Sequence, residues 1–196
     1  MNYYSERTKA MLNIFTVFET EMKVKRPIDD QLILDIADGN ADALHTLYEA
    51  SSESVYGFAL SITKNSHDAE DVLQETYLTV YQKAVDYKPS GKPMAWVFTI
   101  AKNFALAKLK SKSRIRLLDD GDTELGVTFA EIENVEQRLV IQTAFRILND
   151  EERQILMLHA ISGLKHREIA AIMEMSLNTV LSKYHRAIKK MRSELA

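Results

Sequence analysis

The fold of this chain is decided by a stretch in its last third. It reads Leu148-Asn149-Asp150-Glu151-Glu152-Arg153, then, after a short apolar run and Gly163, Glu168-Ile169-Ala170-Ala171-Ile172-Met173, a brief turn, and Ser176-Leu177-Asn178-Thr179-Val180 at the start of a basic amphipathic helix. Apolar residues recur here at helical spacing. Two helices around a tight turn are typical of a helix-turn-helix unit, whose second helix reads duplex DNA.

The spacing within this stretch meets the steric needs of such a unit. Ala170 is small enough for the helices to touch there, and Val180, ten residues later, is an apolar anchor. The turn falls at Glu174 and Met175, where one residue is expected at positive φ. Glycine suits that conformation best, so Glu174 costs about 1 kcal/mol. Ser176 is a suitable N-cap for the second helix.

The second helix predicts one buried face and one DNA-facing side. The inward residues are Val180, Tyr184, Ala187 and Met191. Candidates for base edges, near the start of the helix, are Asn178, Thr179, Ser182 and Lys183. Candidates for phosphates are Arg186, Lys189 and Lys190, with Lys165 and Arg167 from the preceding helix. The alternative is an ordinary helical hairpin with a solvated basic face, but the combined spacing and cap favour the DNA reader.

Composition restricts the remaining possibilities. The 196 residues suffice for one medium or two small domains. The absence of cysteine excludes disulfides, thiolate zinc sites and cysteine nucleophiles. No apolar run approaches the roughly 20 residues of a membrane span, and no secretion signal is recognisable. We therefore expect a cytoplasmic protein without membrane insertion.

Charge is segregated along the chain although the net charge is only −3. Residues 91–116 hold seven basic and no acidic side chains, and residues 153–196 hold eight basic and three acidic ones. Residues 28–90 and 117–152 are strongly acidic. This pattern predicts two nucleic-acid surfaces and at least one surface for another partner.

Glycine and proline are scarce and helical spacing dominates, which predicts an all-α protein of two small helical domains joined by a flexible linker. Asp29 or Asp30 can cap the first helix. The N-terminal helices are expected near 29–37, 41–63, 66–85 and 94–112. The C-terminal domain is expected as a four-helix unit of 132–147, 151–161, 165–173 and 177–194. The domain bounds are 1–28 for an N-terminal extension, 29–112, 113–131 for the linker, and 132–196.

An acidic helix is predicted around residues 68–78. It places Asp68, Asp71, Gln74, Glu75 and Leu78 along one side, which we expect to be an outer face. Three interpretations are open: a solvated acidic face, a docking surface for a basic protein, and a metal or acid–base site that includes a nearby histidine. The last lacks a matching Glu-x-x-His pair on a second helix, so no metal, cofactor or catalytic residue is predicted.

The next helix mixes aromatic and cationic side chains. They are Trp96, Phe98 and Phe104 among Lys92, Lys102, Asn103, Lys108, Lys110 and Lys112. Such a mixture suits single-stranded nucleic acid, since rings stack on exposed bases and lysines follow the backbone. The alternative is an ordinary core stripe of Met94, Val97, Phe98, Ala101, Phe104 and Ala105.

Taken together, three motifs resemble bacterial sigma factors. Residues 68–77, Asp-Ala-Glu-Asp-Val-Leu-Gln-Glu-Thr-Tyr, look like their helix that binds core RNA polymerase. Residues 96–103, Trp-Val-Phe-Thr-Ile-Ala-Lys-Asn, look like their promoter-melting helix. Residues 168–170 with 178–187 look like their C-terminal helix-turn-helix. With no room for a third domain, the chain is most similar to the extracytoplasmic-function (ECF) sigma factors.

The resemblance implies roles for the candidate residues. Asp68, Asp71, Gln74, Glu75 and Leu78 would face core polymerase. The single-stranded −10 element would meet the loop of residues 86–93 and Lys92, Trp96, Lys102, Asn103, Phe104, Lys108 and Lys110. The duplex −35 element would meet Lys165, Arg167, Asn178, Thr179, Ser182, Lys183, Arg186 and Lys190. Many relatives are also held by an inhibitory anti-sigma factor.

The main rival interpretation is a helix-turn-helix transcriptional regulator with a helical sensor domain. It would bind operators as a dimer, without polymerase. The family pattern also has departures here, with Glu174 and Asn178 where glycine is common and Leu181 where a cation is common. The promoter sequence is therefore not predicted.

Overall fold

The computed structural model describes residues 28–116, 142–144 and 146–194. These residues are helices, turns and connecting loops, and none of them forms a strand. They divide into two compact units, residues 28–116 in one and residues 142–194 in the other. The all-α class is therefore confirmed.

The N-terminal unit contains four helices and one short 3₁₀ turn. They are α1 (Asp30–Ala37), α2 (Ala41–Thr63), α3 (Ser66–Lys83), the 3₁₀ turn Ala84–Asp86, and α4 (Pro93–Arg116). Helices α2, α3 and α4 pack against one another, and α1 packs on α2. Phe58 and Phe98, both fully buried, meet edge to face in this core with ring centroids 5.5 Å apart.

Side-chain caps account for where these helices begin. The Asp29 carboxylate accepts from the Leu32 amide (3.2 Å), so Asp29, and not Asp30, caps α1. Asn40 caps α2 and Asn65 caps α3. Gly39 after α1 has φ +85°, the left-handed conformation expected of a helix stop.

Helix α4 runs four residues past its predicted end at residue 112. Residues 113–116 contain no glycine or proline, and the acidic, glycine-containing segment starts only at Asp119. The first four residues of the predicted linker are therefore helical. The remainder of that linker and the N-terminal extension lie outside the described residues.

The C-terminal unit contains α5 (Asp150–Leu156), which continues as a π-helical turn Met157–Ile161, then α6 (His166–Met173) and α7 (Leu177–Glu194). Helix α7 packs against α5 and α6. The predicted helix at 132–147 is described only at residues 142–144 and 146–147, which are helical. Asn149 and Glu152 form a reciprocal capping box at the start of α5.

Candidate nucleic-acid and partner interfaces

The turn between α6 and α7 has the predicted geometry. Glu174 adopts φ +55°, the left-handed conformation, and the Met175 amide donates to the Ala170 carbonyl (3.0 Å). Ala170 is buried and Val180 is fully buried, in keeping with a small contact and an apolar anchor. These features confirm a helix-turn-helix within the described C-terminal unit.

Ser176 caps α7 as expected. Its hydroxyl accepts from the Thr179 amide (3.2 Å) and lies 2.8 Å from the Thr179 hydroxyl. Thr179 is half-buried, and both its amide and its hydroxyl contact the Ser176 hydroxyl. Asn178 and Ser182 are exposed on the first two turns of α7, where side chains can reach base edges.

Two lysines predicted to contact DNA form ion pairs with α5. The Lys183 ammonium binds the Glu151 carboxylate, and the Lys183 side chain is only 17 % exposed. The Lys190 ammonium lies 2.6 Å from Glu152, whose side chain is buried. The sequence did not reveal these pairs, because they join residues 32 and 38 positions apart. Arg186, Lys165 and Arg167 are exposed.

A cluster of aromatic rings lies beneath α7. His159, His166 and Tyr184 have ring centroids 4.1–4.8 Å apart, and His159 Nδ1 is 2.8 Å from the Leu164 carbonyl oxygen. Burial lowers the pKa of His166, and the neighbouring His159 and His185 lower it further. His166 is therefore neutral at pH 7 and belongs to the packing of this unit. Tyr184 was expected to point inward, but the two histidines carried no signal in the sequence.

The outer face of α3 combines carboxylates with exposed apolar side chains. Asp71, Gln74 and Glu75 are exposed, and Leu78 is 52 % exposed one turn further on. Tyr81 and Val85 continue this apolar surface and were not predicted. Exposed large apolar side chains in a row are typical of a protein-binding surface.

The prediction that Asp68 also lies on this outer face is wrong. Asp68 is buried at the third position of α3, where its amide donates to the Asn65 side chain (3.1 Å). The capped first turn faces the interior there. No three histidine, aspartate or glutamate side chains are grouped as metal ligands anywhere in the described residues.

Helix α4 has a buried side and a side with exposed and half-buried polar residues. Val97, Phe98, Ala101 and Ala105 are buried core residues, so the core interpretation holds for Phe98. Trp96 and Phe104 are half-buried, and Lys92, Asn103 and Lys110 are exposed. Together with half-buried Lys102 they form a cationic surface with partly accessible rings.

Lys108, also a predicted DNA contact, connects α4 with the acidic face of α3. Its ammonium lies 2.5 Å from the Asp71 carboxylate, and this hydrogen bond raises the pKa of Lys108. The same aspartate is a predicted polymerase contact. The cationic and acidic surfaces of the N-terminal unit therefore meet at this pair.

The loop before α4 is tied to the start of α1. The Tyr87 hydroxyl donates to Asp30 Oδ1 (2.5 Å), and the Gly91 amide donates to Asp30 Oδ2 (2.6 Å). The Tyr87 ring contacts the Trp96 ring, with centroids 4.9 Å apart and planes inclined by 51°. The sequence suggested only a capping role for Asp30 and did not reveal this contact.

Two family models match the chain in the same order as these surfaces. Sigma-70 region 2 matches residues 47–115, and sigma-70 region 4 matches residues 138–191. The ECF RNA polymerase sigma factor SigE of Mycolicibacterium smegmatis is 34% identical over 160 residues, which cover 76% of this chain and 60% of SigE. SigK of Mycobacterium ulcerans is 27% identical over 170 residues, covering 83% of this chain and 90% of SigK.

Solved structures share the fold. CnrH in complex with the cytosolic domain of CnrY aligns with a TM-score of 0.60 at 23% identity, covering 85% of this chain and 96% of CnrH. RpoE from Bartonella quintana, in complex with the anti-sigma factor NepR, aligns with a TM-score of 0.65 at 22% identity, covering 77% and 94%.

The fold and surfaces define a helical DNA-binding protein of two units. The chain belongs to the sigma-70 family, in its extracytoplasmic-function group. Sigma factors are transcription initiation factors and not enzymes, so the expectation of a non-enzymatic protein is confirmed by its family. The region 2 match also occupies the place where the rival interpretation put a sensor domain.

Proposed function

We propose that this chain binds core RNA polymerase and directs it to promoters. The observation that carries the proposal is the pairing, in one chain, of a region 2 unit with an exposed acidic and apolar helix face and a region 4 unit with a capped helix-turn-helix. The proposed domains are residues 29–112 and 132–196, with 1–28 as an extension and 113–131 as the linker. Because its partner polymerase acts in the cytoplasm, the chain works there too. In the described residues no helix has the length and apolarity that crossing a membrane requires.

The outer face of α3 is the proposed polymerase contact. Asp71, Gln74 and Glu75 supply polar groups around Leu78, an arrangement that suits a basic partner surface with an apolar centre. Asp68 belongs to this proposal as the buried residue at the capped start of the same helix. Because it is buried, its side chain adds little to the contact area.

The loop of residues 86–93 and the cationic side of α4 are the proposed −10 site. Trp96 and Phe104 present partly accessible rings for unpaired bases. The charged and polar residues follow the strand: Lys92, Lys102, Asn103, Lys108 and Lys110. An unpaired strand suits this surface because a duplex hides the base faces that such rings stack on.

The start of α7 is the proposed −35 reader. Asn178, Thr179, Ser182 and Lys183 are assigned to base edges in the major groove, and Lys165, Arg167, Arg186 and Lys190 to phosphates. Lys183 and Lys190 must exchange their carboxylate partners for DNA to take these roles. An anti-sigma factor is a further proposed partner, since one solved structure with this fold, RpoE, is in complex with such a protein.

Run-off transcription tests the proposal. Core RNA polymerase, the purified chain and a genomic promoter library are expected to yield transcripts from a restricted set of start sites. Charge reversal, Asp71→Lys or Glu75→Lys, is expected to abolish co-purification with core and all these transcripts. Glu49→Lys, at an exposed position of α2, is the matched control and is expected to behave as the parent.

The outcomes separate the parts of the proposal. Start-site choice that is the same with and without the chain would refute the proposed function. Reversed variants that still bind core and transcribe like the parent would refute the assignment of α3. Circular dichroism of each variant verifies that the helices remain folded.

A further inference from the structure

We propose that Asp30 is a positioning residue that fixes the loop of residues 87–91 in the shape with which the chain selects its −10 element. The inference rests on the proposed function, which assigns this loop to the −10 strand. Asp30 precedes its two loop partners by 57 and 61 residues and lies outside the candidate DNA-binding set.

The Asp30 carboxylate uses both oxygens on opposite ends of the loop. Oδ1 accepts from the Tyr87 hydroxyl and Oδ2 accepts from the Gly91 amide. Hydrogen bonds to an ionised carboxylate are about twice as strong as neutral ones. Because Asp29 supplies the cap of α1, the Asp30 carboxylate is not needed there and can serve the loop.

The bond between Asp30 and Tyr87 also fixes the position of an aromatic ring in α4. Tyr87 is buried and its ring packs on Trp96 in the first turn of α4, so the position of the phenol hydroxyl restricts the position of the Trp96 face. Gly91 has φ +68°, and its amide can point at Asp30 in that conformation. An unpaired base would stack on this ring beside the loop backbone. Because both are held in one position, they can discriminate between bases by shape.

The two hydrogen bonds to Asp30 require an ionised Asp30 carboxylate and a protonated Tyr87 hydroxyl, and both groups keep these states over the physiological pH range. The hydrogen bond from Tyr87 holds the pKa of Asp30 below its ordinary value. Burial, and then the bond to Asp30, raises the pKa of Tyr87 to about 12. The Asp30 contribution is thus present above the ordinary carboxyl pKa and is lost as the pH falls through the lowered one. The Tyr87 contribution is complete below the ordinary tyrosine pKa and is lost as the pH rises from there through about 12.

The test uses holoenzyme assembled from core polymerase and the full chain. A promoter recovered by the parent is given a randomised −10 element and its own −35 element, and the transcripts are sequenced. The variants are Asp30→Ala, Asp30→Asn and Tyr87→Phe. Asp29→Asn is the matched control, because it removes the same charge from the neighbouring residue and asparagine still caps a helix.

We expect Asp30→Ala to lower the discrimination between preferred and mismatched −10 elements about ten-fold. Tyr87→Phe keeps the ring and the Gly91 bond, so a smaller loss is expected. The asparagine of Asp30→Asn can accept only at its single oxygen, so its loss of discrimination should lie between those of Tyr87→Phe and Asp30→Ala. Asp29→Asn should discriminate like the parent, and all variants should keep the parent's dependence on the −35 element and its affinity for core.

A spectroscopic readout follows the loop itself. Trp96 is the single tryptophan of the chain, so tryptophan fluorescence reports this site alone. Acrylamide quenching is expected to increase in Asp30→Ala and Asp30→Asn while far-ultraviolet circular dichroism stays unchanged. If Asp30→Ala does not fold, Asp30→Asn and Tyr87→Phe carry the test.

Each result decides the inference. Parent-like −10 discrimination in Asp30→Asn and Tyr87→Phe, together with parent-like quenching in Asp30→Asn, would overturn it. An equal loss of transcription from every −10 sequence would also overturn it, since that pattern marks a purely structural role. Failure of the proposed function is distinguishable, because the parent chain itself would then give no promoter-specific transcripts with core, and the −10 role of Asp30 would fall with it.

Discussion

The lysine assigned to base edges is held by a carboxylate of its own unit. The Lys183 side chain is largely buried against α5, and its ammonium binds Glu151. A partly exposed ion pair contributes only about 0.2–1 kcal/mol to folding, so DNA phosphate or a base edge can replace the carboxylate. If Lys183 contacts the −35 element as proposed, we expect Glu151 to compete with DNA for its ammonium and to repel the duplex.

Replacing Glu151 by glutamine should strengthen promoter binding by the holoenzyme. The change frees the Lys183 ammonium, and the plot of log affinity against log salt should steepen by up to about one. Fluorescence anisotropy of a labelled promoter over a salt series measures the affinity and its salt dependence. Asp150→Asn is the control, since it removes the same charge from the adjacent residue, which pairs with Arg153 instead.

The Lys183→Ala background tests the route of this effect. If Glu151 acts through Lys183, Glu151→Gln gains little when Lys183 is already alanine, and the double-mutant cycle shows a coupling. Equal gains in both backgrounds would mean that Glu151 acts through general repulsion alone. In that case the assignment of Lys183 to the −35 element loses its structural support.

At the scale of elements, the turn of the helix-turn-helix carries a conformational cost. Glu174 adopts φ +55° without being glycine, and so does Lys64 at the end of α2. A residue with a side chain is disfavoured in this region by about 1–2 kcal/mol. Glycine avoids this cost, but its larger conformational freedom in the unfolded chain offsets part of the gain. The described helices tolerate the cost because packing on both sides defines the turn.

Glu174→Gly should therefore stabilise the C-terminal unit by about 0.5–1 kcal/mol. Urea unfolding followed by circular dichroism should show a later transition for that unit. The N-terminal unit, followed by Trp96 fluorescence, should unfold at the same urea midpoint as in the parent. Lys64→Gly is the mirror control and should shift the Trp96 transition instead. An unchanged or earlier unfolding of Glu174→Gly would contradict the strain argument.

Local elements were predictable from the sequence because their causes are local. Helical spacing predicted α2 as residues 41–63, as observed, and the turn chemistry predicted the conformation of Glu174 and the cap at Ser176. The π-helical turn after α5 was not predictable, since no residue type marks it. Periodicity also put Asp68 on the outer face of α3, although the capped first turn buries it.

The long-range contacts of the candidate site could not be predicted from the sequence, because their causes are not local. The contacts of Asp30 with Tyr87 and of Glu151 with Lys183 depend on how distant segments pack, and neither pair has a sequence pattern. Motif resemblance predicted which helices carry the candidate surfaces. The structure adds which side chains on those helices are already engaged and with which partners.

At the scale of the whole molecule, charge segregation implies that the chain reads promoters weakly on its own. Its net charge is −3, and two of its predicted DNA-binding lysines are neutralised within the C-terminal unit. Phosphate neutralisation supplies most of the affinity for DNA, so a small basic reader in an acidic chain has little of it. Core polymerase that holds both units makes the second contact intramolecular and raises its effective concentration.

We therefore expect the free chain to bind a recovered promoter no better than a scrambled duplex, with dissociation constants of about 10⁻⁴–10⁻⁶ M in physiological salt. With core present, anisotropy of the same labelled promoter should show specific binding that is tighter by 10²-fold or more. The Asp71→Lys chain mixed with core is the control, and it should bind like the free chain. Tight, specific binding by the chain alone would show that its cationic helices are sufficient, and polymerase would then not be the source of promoter affinity.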